Sequence, residues 1–553
     1  MTAAESGPDR LVVCHREAIG HCVLSLAPFA KGEVVDRFSG EIGPELRQHS
    51  LQVRPGLHIS DTRFVGFLSH GCDPNCRLDM ERLELVALRG IAAGDLLTID
   101  YAETEDVLFR QFACQCGART CRGWITGRLE DANEDGLRRM ADGGKSAGRS
   151  SVLAGDAAWW TREDLHYRAG RLRFAGCDVA TMAAEVEEPL YLYSLDRVEA
   201  NLDRVLAALG DVGCEAGVYY AMKANRFRPL LERLAQSGKC GIDICSPGEL
   251  DLALSCGFAP GRISFTGCGV SRGDLATLLR HPDLSINCDT IGMIRRIGES
   301  SPGREIGIRV NPGLGTGYGD GEKLTYAGGR TTKFGIYREQ WSEALATARE
   351  FGLKVTGLHF HVGCGYLTDQ LEQWSRAIGA ALRFLDEVPE VRTVNVGGGL
   401  GLPHRVTDQP LDLARWSSIL RDHFAGRGVR IAVEPGDYIV KDAGMLVLRV
   451  TDVEWKRDTR FVSVNGGFNL HPEPAFYDLP CEPAPCVLRG KGTNRQTVTI
   501  AGNINEALDI WAADIALQPV EEGDAIAFLN AGGYGVAMSS NHCLRGSFRE
   551  CAI

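Results

Sequence analysis

The stretch GVYYAMKAN, residues 217–225, decides the fold of the longer part of this chain. It is an apolar run of strand-like composition that ends on one basic residue, Lys223. On both sides of it, strand-like runs alternate with helical stretches from about residue 186 to residue 436. Repeated βα units over such a length predict a closed eight-fold α/β barrel, whose catalytic groups stand at the carboxyl ends of its strands. We therefore expect Lys223 at the mouth of a barrel.

The composition of the chain changes on either side of the predicted barrel. Strand-like runs over residues 438–553 predict a separate β-domain, whose first strand region we expect at residues 186–200, so that the barrel itself takes residues 201–437. Residues 128–185 are predicted as a linker, because their first half is polar, charged and rich in glycine. Short apolar runs separated by glycines over residues 10–127 predict a small β-fold.

The composition also argues against several classes of protein. The 553 residues are 44% hydrophobic and 24% charged, and the formal net charge of -12 comes without a basic stripe, which argues against nucleic acid as the main partner. No apolar run is long enough for a membrane span and the N-terminus lacks the apolar core of a signal peptide, so we expect no membrane association and a cytoplasmic location. Most of the 19 cysteines stand singly among apolar residues, as free thiols of a reducing compartment do.

Residues that could contact the same cofactor follow Lys223 along the chain. We expect burial to lower the pKa of the Lys223 amine, which would let it attack an aldehyde. His361 offers a flat ring for an aromatic cofactor, GGGLG at 397–401 lets backbone amides approach a phosphate, and Glu434 ends a strand where a carboxylate can pair with a pyridinium. Tyr534 in NAGGYG can donate to the phosphate. Each position alone also fits an ordinary core, turn or surface role, and only their common order favours a cofactor site.

Over residues 186–553 the chain resembles the fold-type III decarboxylases, the group of diaminopimelate, ornithine and arginine decarboxylases that shares its barrel with alanine racemase. The resemblance rests on ten segments in one order: PLYLYS, YYAMKAN, CGIDICSPGEL, RVNP, TTKFGI, GLHFHVG, NVGGGLG, VEPGDY, NEALD and NAGGYGVAMSSN. It implies pyridoxal 5'-phosphate as cofactor, Lys223 as its Schiff-base lysine, His361 as the stacking ring, Glu434 as the pyridinium partner, and a homodimer with shared active sites. The remaining cofactor contacts implied are Gly398, Gly399, Gly436, Tyr534 and Cys364, which replaces a usual serine.

Two acids depart from the resemblance at the substrate end of the site. Diaminopimelate decarboxylases carry arginines where this chain has Asp437 and Glu473, and those arginines help to hold the distal carboxyl end of the substrate. Acids in their place would repel a carboxylate. The chain is therefore predicted to decarboxylate an amino acid, or a compound derived from one, without a distal carboxylate, such as one that carries an amine or another cation. The alternative is a rebuilt pocket in which both acids point to solvent.

A third departure concerns the proton that completes the reaction. In GNINEALD, Asn505 stands at the catalytic position where the family has a cysteine that is contributed across the dimer and protonates the substrate carbon. Asparagine has no useful acid proton, so another group or a water must finish the reaction. Glu506, Asp509 and Tyr477 are predicted substrate contacts. This loss leaves room for altered protonation or for a racemase-like reaction.

A second ordered set of residues lies in the N-terminal part. CQCGARTC has the C-x-C-x4-C spacing of a zinc site, so that Cys114, Cys116 and Cys121 can supply three thiolates, with a fourth from Cys72 or Cys76. The same cysteines can also be buried thiols, but the upstream pair favours tetrahedral zinc.

Residues 10–127 look like a SET domain with a post-SET zinc clasp, the fold of protein-lysine methyltransferases, on the segments FLSHGCDPNC, LLTIDY and CQCGARTC. The resemblance implies that His70 and Asn75 contact S-adenosylmethionine and that Tyr101 orients the lysine amine. Ser69 replaces an expected asparagine and REAIGHCVL lacks the expected G-x-G, which leaves methyl transfer and a folding, docking or dimerisation module as alternatives. The fold class expected for the whole chain is α/β plus β: a SET β-fold, an alanine-racemase-like (β/α)8 barrel and a C-terminal β-domain.

These observations support three hypotheses for the function. The first is a pyridoxal-phosphate decarboxylase that acts on a small amino-acid substrate. The second is a protein-lysine methyltransferase whose barrel senses a metabolite, and the third is a scaffold made of two decayed enzyme domains. The retained Lys223, His361 and Glu434 favour the first function.

Overall fold

The computed structural model describes residues 10–16, 20–44, 46–47, 49–80, 82–114, 116, 118, 121–130, 132, 158–320, 322–328, 330–489 and 495–553. The chain divides into two units between residues 154 and 155. Within the described ranges, none of the helices combines the length and the apolar character that a membrane span needs.

The first unit is built from short strands around one apolar core that includes Val23, Phe29, Leu85 and Leu97. Its elements are β1 Leu11–Arg16, β2 Gly20–Ser25, β3 Val34–Arg37, β4 Glu41–Gly43, β5 Leu51–Arg54, β6 Leu57–Ser60, β7 Ser69–His70, β8 Cys76–Asp79, β9 Glu84–Ala87, β10 Thr98–Ile99, α1 Tyr101–Thr104, β11 Phe112–Ala113 and β12 Trp124–Ile125. Strands β1 and β2 form a hairpin, β3, β9 and β8 form one sheet, and β4, β6 and β5 form another. Strand β7 pairs in parallel with β10, which places the segments of residues 69–70 and 98–99 side by side.

The second unit begins with folded residues that lie ahead of the barrel. They form β13 Leu165–Arg168, β14 Arg171–Phe174, β15 Cys177–Asp178, α2 Val179–Ala184 and β16 Leu190–Tyr193. Leu172 and Phe174 are fully buried in an apolar cluster shared with strands near the end of the chain, and Tyr167 donates to the Pro485 carbonyl 318 residues away. The prediction of a linker over 128–185 is therefore wrong for its second half, where apolar side chains find partners that are distant in sequence. Residues 133–157 lie outside the described residues.

The predicted eight-fold barrel is confirmed. Its parallel strands are β17 Ala216–Ala221, β18 Gly241–Ile244, β19 Ile263–Phe265, β20 Ser285–Cys288, β21 Glu305–Arg309, β22 Lys354–His359, β23 Thr393–Asn395 and β24 Arg430–Val433. They pair in chain order, and β17 closes the barrel against β24. The strands are mostly apolar because one face fills the barrel interior and the other packs under the helices.

Helices surround the barrel and connect its strands. They are α3 Leu195–Leu209, α4 Arg228–Ser237, α5 Pro247–Ser255, α6 Arg272–Leu278, α7 Ile291–Ser300, α8 Trp341–Glu350, α9 Leu371–Leu385 and α10 Leu413–Phe424. Ser246 caps α5 by accepting a hydrogen bond from Glu249 N, and Asp412 caps α10 in the same way. Each helix buries one apolar face, as Trp374, Ile378 and Leu382 do on α9.

The β-domain follows the barrel. Its elements are α11 Asp437–Val440, β25 Gly444–Lys456, β26 Thr459–Val464, α12 Glu473–Tyr477, β27 Pro483–Pro485, β28 Gln496–Ala501, β29 Ile510–Leu517, β30 Ala525–Leu529 and β31 Arg549–Ala552. The sheet order is β27, β30, β25, β26, β28 and β29, and β16 from ahead of the barrel pairs with both β25 and β31. The β-domain is thus completed by a strand that precedes the barrel in sequence.

Candidate active site

Lys223 lies in a single 3₁₀ turn, Met222–Ala224, directly after β17. Its two chain neighbours are buried, which holds the lysine at the carboxyl end of the barrel. Burial by itself lowers the pKa of the Lys223 amine, but Cys245, Asp243 and Glu434 lie near it and raise the pKa above its ordinary value. The expected lowering is therefore wrong. The ionised Glu434 is the neighbour that favours the charged amine, which must lose a proton before it can attack an aldehyde.

Glu434 follows β24, at a point where the ends of three neighbouring strands converge. Its Oε2 lies 3.0 Å from His359 Nε2, and its Oε1 accepts a 2.6 Å hydrogen bond from Asn395 Nδ2. His359 ends β22 and Asn395 ends β23, so the register of the barrel brings all three side chains together. Burial alone would raise the pKa of Glu434, but His359 and Lys223 lower it to about 2. Glu434 is thus a buried carboxylate, held by two residues that the sequence patterns did not indicate.

Asp243 on β18 has the opposite protonation. Its side chain is buried, and neither of its oxygens meets the geometry of a hydrogen bond with a described residue. Burial and the charge of Glu434 raise the pKa of Asp243 well above its ordinary value, although Lys223 opposes this effect. Two acids near one lysine therefore differ in state, with Glu434 ionised and Asp243 protonated.

His361 and Cys364 belong to the loop that follows β22. Gly398 N donates to His361 Nδ1 at 3.2 Å, and burial lowers the pKa of His361 well below its ordinary value, so the ring is neutral. The Cys364 thiol donates to Tyr326 Oη at 3.4 Å, and the Tyr326 ring centroid lies 5.1 Å from that of His361. Cys364 and Tyr477 pack against the same small apolar cluster. Tyr326 was not among the residues predicted for the site.

The glycines of the predicted phosphate loop permit close packing at the barrel mouth. A Cβ on Gly398 would collide with the carbonyl oxygen of Glu434, and a Cβ on Gly399 would collide with a carbonyl oxygen of the loop after β22. Gly399 also has a φ of +92°, which favours glycine. Gly436 meets a similar need after β24, since a Cβ there would lie 2.9 Å from Ala224 Cβ. Glycine at these positions keeps the loop backbone close to Lys223 and Glu434.

Tyr534 reaches the barrel mouth from the β-domain. Its backbone N donates a 2.8 Å hydrogen bond to the carbonyl of Ala224, the residue after Lys223, and its φ is +53°. The Tyr534 side chain packs against the barrel core. Asn225 Nδ2 donates a 2.8 Å hydrogen bond to the Gly532 carbonyl, which ties the same β-domain loop to the lysine turn.

Asp437 and Glu473 lie inside the protein and are bridged by a lysine. The two residues are 8% and 4% exposed, so the alternative in which they point to solvent is wrong. Lys441 Nζ lies 2.8 Å from Glu473 Oε2 and 3.4 Å from Asp437 Oδ2, and its side chain is 1% exposed. Lys441 was not predicted for the site, although its spacing of four residues from Asp437 in a helical segment was a signal that favours such a pair.

The segment around Asn505 forms an edge of the β-domain. Asn505 and Glu506 are exposed, and Glu506 Oε1 lies 3.4 Å from His542 Nε2. Asp509 is buried, and its two oxygens accept hydrogen bonds from the backbone N of Phe468 and of Ile504, each at 2.7 Å. Asp509 therefore holds the shape of the loop that presents Asn505.

In the first unit, the structure brings four cysteines together. The sulfur atoms of Cys72, Cys114, Cys116 and Cys121 all lie within 4.8 Å of one another, and those of Cys72 and Cys114 are 3.7 Å apart. Four thiolates around one zinc at about 2.3 Å have sulfur atoms about 3.8 Å apart. Cys76 is buried within β8 and is not in the cluster. The alternative left open between Cys72 and Cys76 is thus resolved by geometry in favour of Cys72.

The three residues matched to S-adenosylmethionine and lysine contacts are hydrogen-bonded within the same unit. His70 Nδ1 accepts a hydrogen bond from Tyr101 N at 3.4 Å, and Tyr101 Oη donates to a backbone carbonyl at 2.6 Å. Asn75 Nδ2 donates to the Leu96 carbonyl and Asn75 Oδ1 accepts from Thr98 N, both at 2.8 Å. A cavity of about 260 Å³ reaches Tyr101. Residues 17–19, part of the segment expected to hold a cofactor loop, lie outside the described residues.

A strand-end lysine beside an ionised carboxylate, at the mouth of a parallel barrel joined to a β-domain, defines a class of pyridoxal-phosphate enzymes. Residues 195–441 match the family model described as the pyridoxal binding domain of pyridoxal-dependent decarboxylases, and residues 20–102 match that of the SET domain. The diaminopimelate decarboxylases of Methanothermobacter thermautotrophicus and Streptomyces coelicolor are 32% and 30% identical over 391 and 404 residues, which cover 68% of this chain in both comparisons and 88% and 87% of the relatives. The structure of diaminopimelate decarboxylase from M. jannaschii in complex with L-lysine matches with a TM-score of 0.64 at 25% identity, over 71% of this chain and 93% of that one.

The chain therefore belongs to the pyridoxal-dependent decarboxylase family, with a SET domain in its N-terminal part. It is a pyridoxal-phosphate-dependent amino-acid decarboxylase.

The barrel mouth fits that cofactor. The uncompensated oxygens of Asp243 are buried beside the Lys223 amine, and the ionised Glu434 lies near them. The neutral His361 ring suits stacking on a pyridine ring, and the closely packed glycine loop offers backbone amides to a phosphate.

Proposed function

We propose that Lys223 binds pyridoxal 5'-phosphate and that the barrel mouth removes the carboxyl group of an amino acid that has no distal carboxylate. The observation that carries the proposal is the position of Lys223 and Glu434, one after each of the two strands that close the barrel. When bound, the cofactor supplies a ring that accepts the electron pair left by departing CO2.

The chain's own residues divide the work of binding and orientation. Glu434 keeps its negative charge because His359 and Asn395 hold it, and a fixed carboxylate stabilises a protonated ring nitrogen. The neutral His361 ring is oriented by the Gly398 N–H, which suits it to stacking.

The phosphate end is proposed to lie against backbone amides of the loop that contains Gly398 and Gly399. Cys364 and Tyr534 supply a thiol and a hydroxyl nearby, and burial keeps both groups protonated by raising their pKa values, to about 11 for Cys364. The role of Gly436 in this proposal is to let the Glu434 segment pack on the lysine turn, since a side chain there would displace Ala224.

We further propose that the enzyme acts as a homodimer in which the Asn505 loop lies at the interface. Exposed apolar side chains surround this loop: Leu508 is 45% exposed, Phe476 44% and Leu544 85%. Such a patch on a protein surface favours a partner. Asn505 cannot act as the acid there, so the proton that completes the reaction is proposed to come from another group or from water.

Removal of the Lys223 amine tests the proposal that this lysine binds the cofactor. We expect Lys223→Ala to abolish both the visible absorbance of the cofactor-loaded protein and CO2 release from amino acids. Lys239→Ala is the matched control, because this exposed lysine only pairs with Glu199 and Asp203 on the surface. A wild-type chain that gains no absorbance band with pyridoxal 5'-phosphate would overturn the proposal.

For the first unit we propose a structural zinc held by Cys72, Cys114, Cys116 and Cys121, on the strength of their mutual distances. Methyl transfer is a second candidate function of this unit, favoured by the cavity that reaches Tyr101. Calorimetric titration with S-adenosylmethionine tests it, and absence of binding would argue against methyl transfer. Unaltered methyl transfer in a Tyr101→Phe variant would argue against a role of Tyr101 only.

A further inference from the structure

Lys441 is a buried ammonium between two acids, close to the proposed reaction site. Asp437 Oδ2 and Glu473 Oε2 lie 3.4 and 2.8 Å from its Nζ. The other oxygen of Asp437 is buried and has no hydrogen-bond partner among the described residues. His471 Nε2 lies 3.6 Å from Glu473 Oε2, and both ring nitrogens of His471 also lack such a partner. The cluster of Asp437, Lys441 and Glu473 therefore has unused hydrogen-bonding capacity.

The charges of the cluster do not balance. Burial, and then the charge of Lys441, lower the pKa of His471 to about 3, so His471 is neutral and one lysine faces two acids. Burial raises the pKa of Glu473 to about 7; Asp437 adds to this rise, whereas Lys441 opposes it. An unpaired buried charge is costly. The cluster must therefore keep a proton on Glu473 or receive a second cation.

The cluster and Lys223 have a common neighbour, Cys364. The pKa of the Cys364 thiol is raised by burial, and the charges of Asp437, Lys223 and Lys441 all act on it. A Cβ on Gly533, beside Tyr534, would lie 2.8 Å from the unpartnered oxygen of Asp437. Because Gly533 has no side chain, the space beside this oxygen is not filled from that position, and the backbone N of Tyr534, the next residue, donates to the Ala224 carbonyl in the lysine turn.

We propose that the cluster of Asp437, Lys441 and Glu473 binds one cationic group at the far end of the substrate side chain, so that the substrate is a basic amino acid. This inference rests on the proposed decarboxylation at Lys223. A single N–H cation supplies the missing positive charge and a donor for the free oxygen of Asp437. A carboxylate would meet two acids and a lysine already held by both, and an apolar end would leave the free oxygen of Asp437 without a donor.

Binding of the cation is coupled to a proton. The titratable groups that face Glu473 are Asp437, Lys441, His471, Tyr191, Tyr477, Cys481 and Tyr534. Raised pKa values keep the tyrosines and the cysteine uncharged near neutral pH. Because an approaching cation favours the ionised form of Glu473, its binding releases the Glu473 proton below about pH 7 and releases none at pH 9.

Calorimetric titration of the cofactor-loaded protein with three amines tests the inference. We expect 1,5-diaminopentane to bind at least tenfold more tightly than n-pentylamine and 6-aminohexanoate. Titrations at pH 6.5 in two buffers of different ionisation enthalpy should show proton release with the diamine alone. Equal affinities for the diamine and n-pentylamine, or tighter binding of 6-aminohexanoate, would overturn the inference.

Variants separate the roles within the cluster. Glu473→Gln should abolish proton release and reduce the preference for the diamine, while Lys441→Met should shift proton release to higher pH, because Lys441 lowers the pKa of Glu473. Lys323→Met is the control, since this exposed lysine donates to the Phe476 carbonyl on the same helix as Glu473 and should change neither quantity. Unaltered proton release in Glu473→Gln would contradict the inference. Absence of a cofactor absorbance band in the wild type would instead contradict the proposed decarboxylation.

Discussion

At the scale of single residues, neighbouring charges decide which groups of the site carry protons. Glu434 and Asp243 both lie near Lys223, yet the His359 and Asn395 contacts stabilise a charge on Glu434 alone. With a pKa of about 2, Glu434 stays ionised from pH 5 to pH 9. Any change of activity within that range must then come from other groups.

Removing the charge of Glu434 should slow the reaction without removing the cofactor. We expect Glu434→Gln to lower kcat roughly 100-fold or more, the usual effect of losing one fixed electrostatic partner. Cofactor absorbance should persist, because Lys223 is unchanged. Glu305→Gln, at the exposed start of β21, is the control and should leave kcat unaltered. A kcat within about threefold of the wild type in Glu434→Gln would contradict the role of this carboxylate.

Sequence patterns indicated Lys223, His361 and Glu434 because each stands in a segment with a recognisable order. They did not indicate His359 or Asn395, which act through Glu434 across 75 and 39 residues of sequence. A histidine or asparagine at the end of a strand has many ordinary uses, and only the barrel register shows which carboxylate it meets. Lys441 was not predicted either, because lysine is rarely buried and its sequence neighbourhood does not show that two acids surround it.

At the scale of secondary-structure elements, close approach of two strand ends builds the site. The segment after β24 packs on the turn after β17 only because Gly436 has no side chain, as the 2.9 Å distance from its ideal Cβ to Ala224 Cβ indicates. This contact places the Glu434 segment against the lysine turn.

A methyl group at Gly436 should therefore disturb both stability and cofactor binding. We expect Gly436→Ala to lower the free energy of unfolding by about 1–3 kcal/mol, as overpacking does, and to weaken cofactor affinity. Gly248→Ala on α5 is the matched control, because its Cβ would lie no closer than 3.9 Å to a neighbour and alanine favours a helix. Chemical denaturation and cofactor titration measure both effects, and equal behaviour of the two variants would contradict the packing argument.

Elements with strong periodicity were predictable, whereas the segment ahead of the barrel was not. The barrel strands are apolar runs separated by helical stretches, and the chain repeats this pattern through β24. Residues 165–184 carry shorter apolar runs next to a polar stretch, and they fold by packing on β-domain strands that are distant in sequence. The local sequence does not indicate partners that are so distant in the chain.

At the scale of the whole molecule, the two units have separate cores and separate chemistry. The cysteine cluster lies in the first unit and the lysine site in the second. The cysteine spacing predicted three members of the cluster, and the fold selected Cys72 as the fourth.

Loss of one thiolate should affect the first unit alone. We expect Cys116→Ser to lose bound zinc, measured by metal analysis, and to lower the temperature of the transition that reports this unit, because a structural zinc contributes to folding. CO2 release at the barrel should stay within about twofold of the wild type. Cys14→Ser, a half-buried cysteine of β1 outside the cluster, is the control. Full zinc content in Cys116→Ser would contradict the assignment.

The pairing of β16 with β25 also sets an order in protein synthesis. Tyr193 pairs with Gly444, so the whole barrel is translated between the two strands. At ~5–20 residues per second, the roughly 250 residues between them take about 13–50 s to emerge. For that time the buried side chains of β16 lack their final neighbours, and a nascent chain in this state exposes apolar surface that favours aggregation.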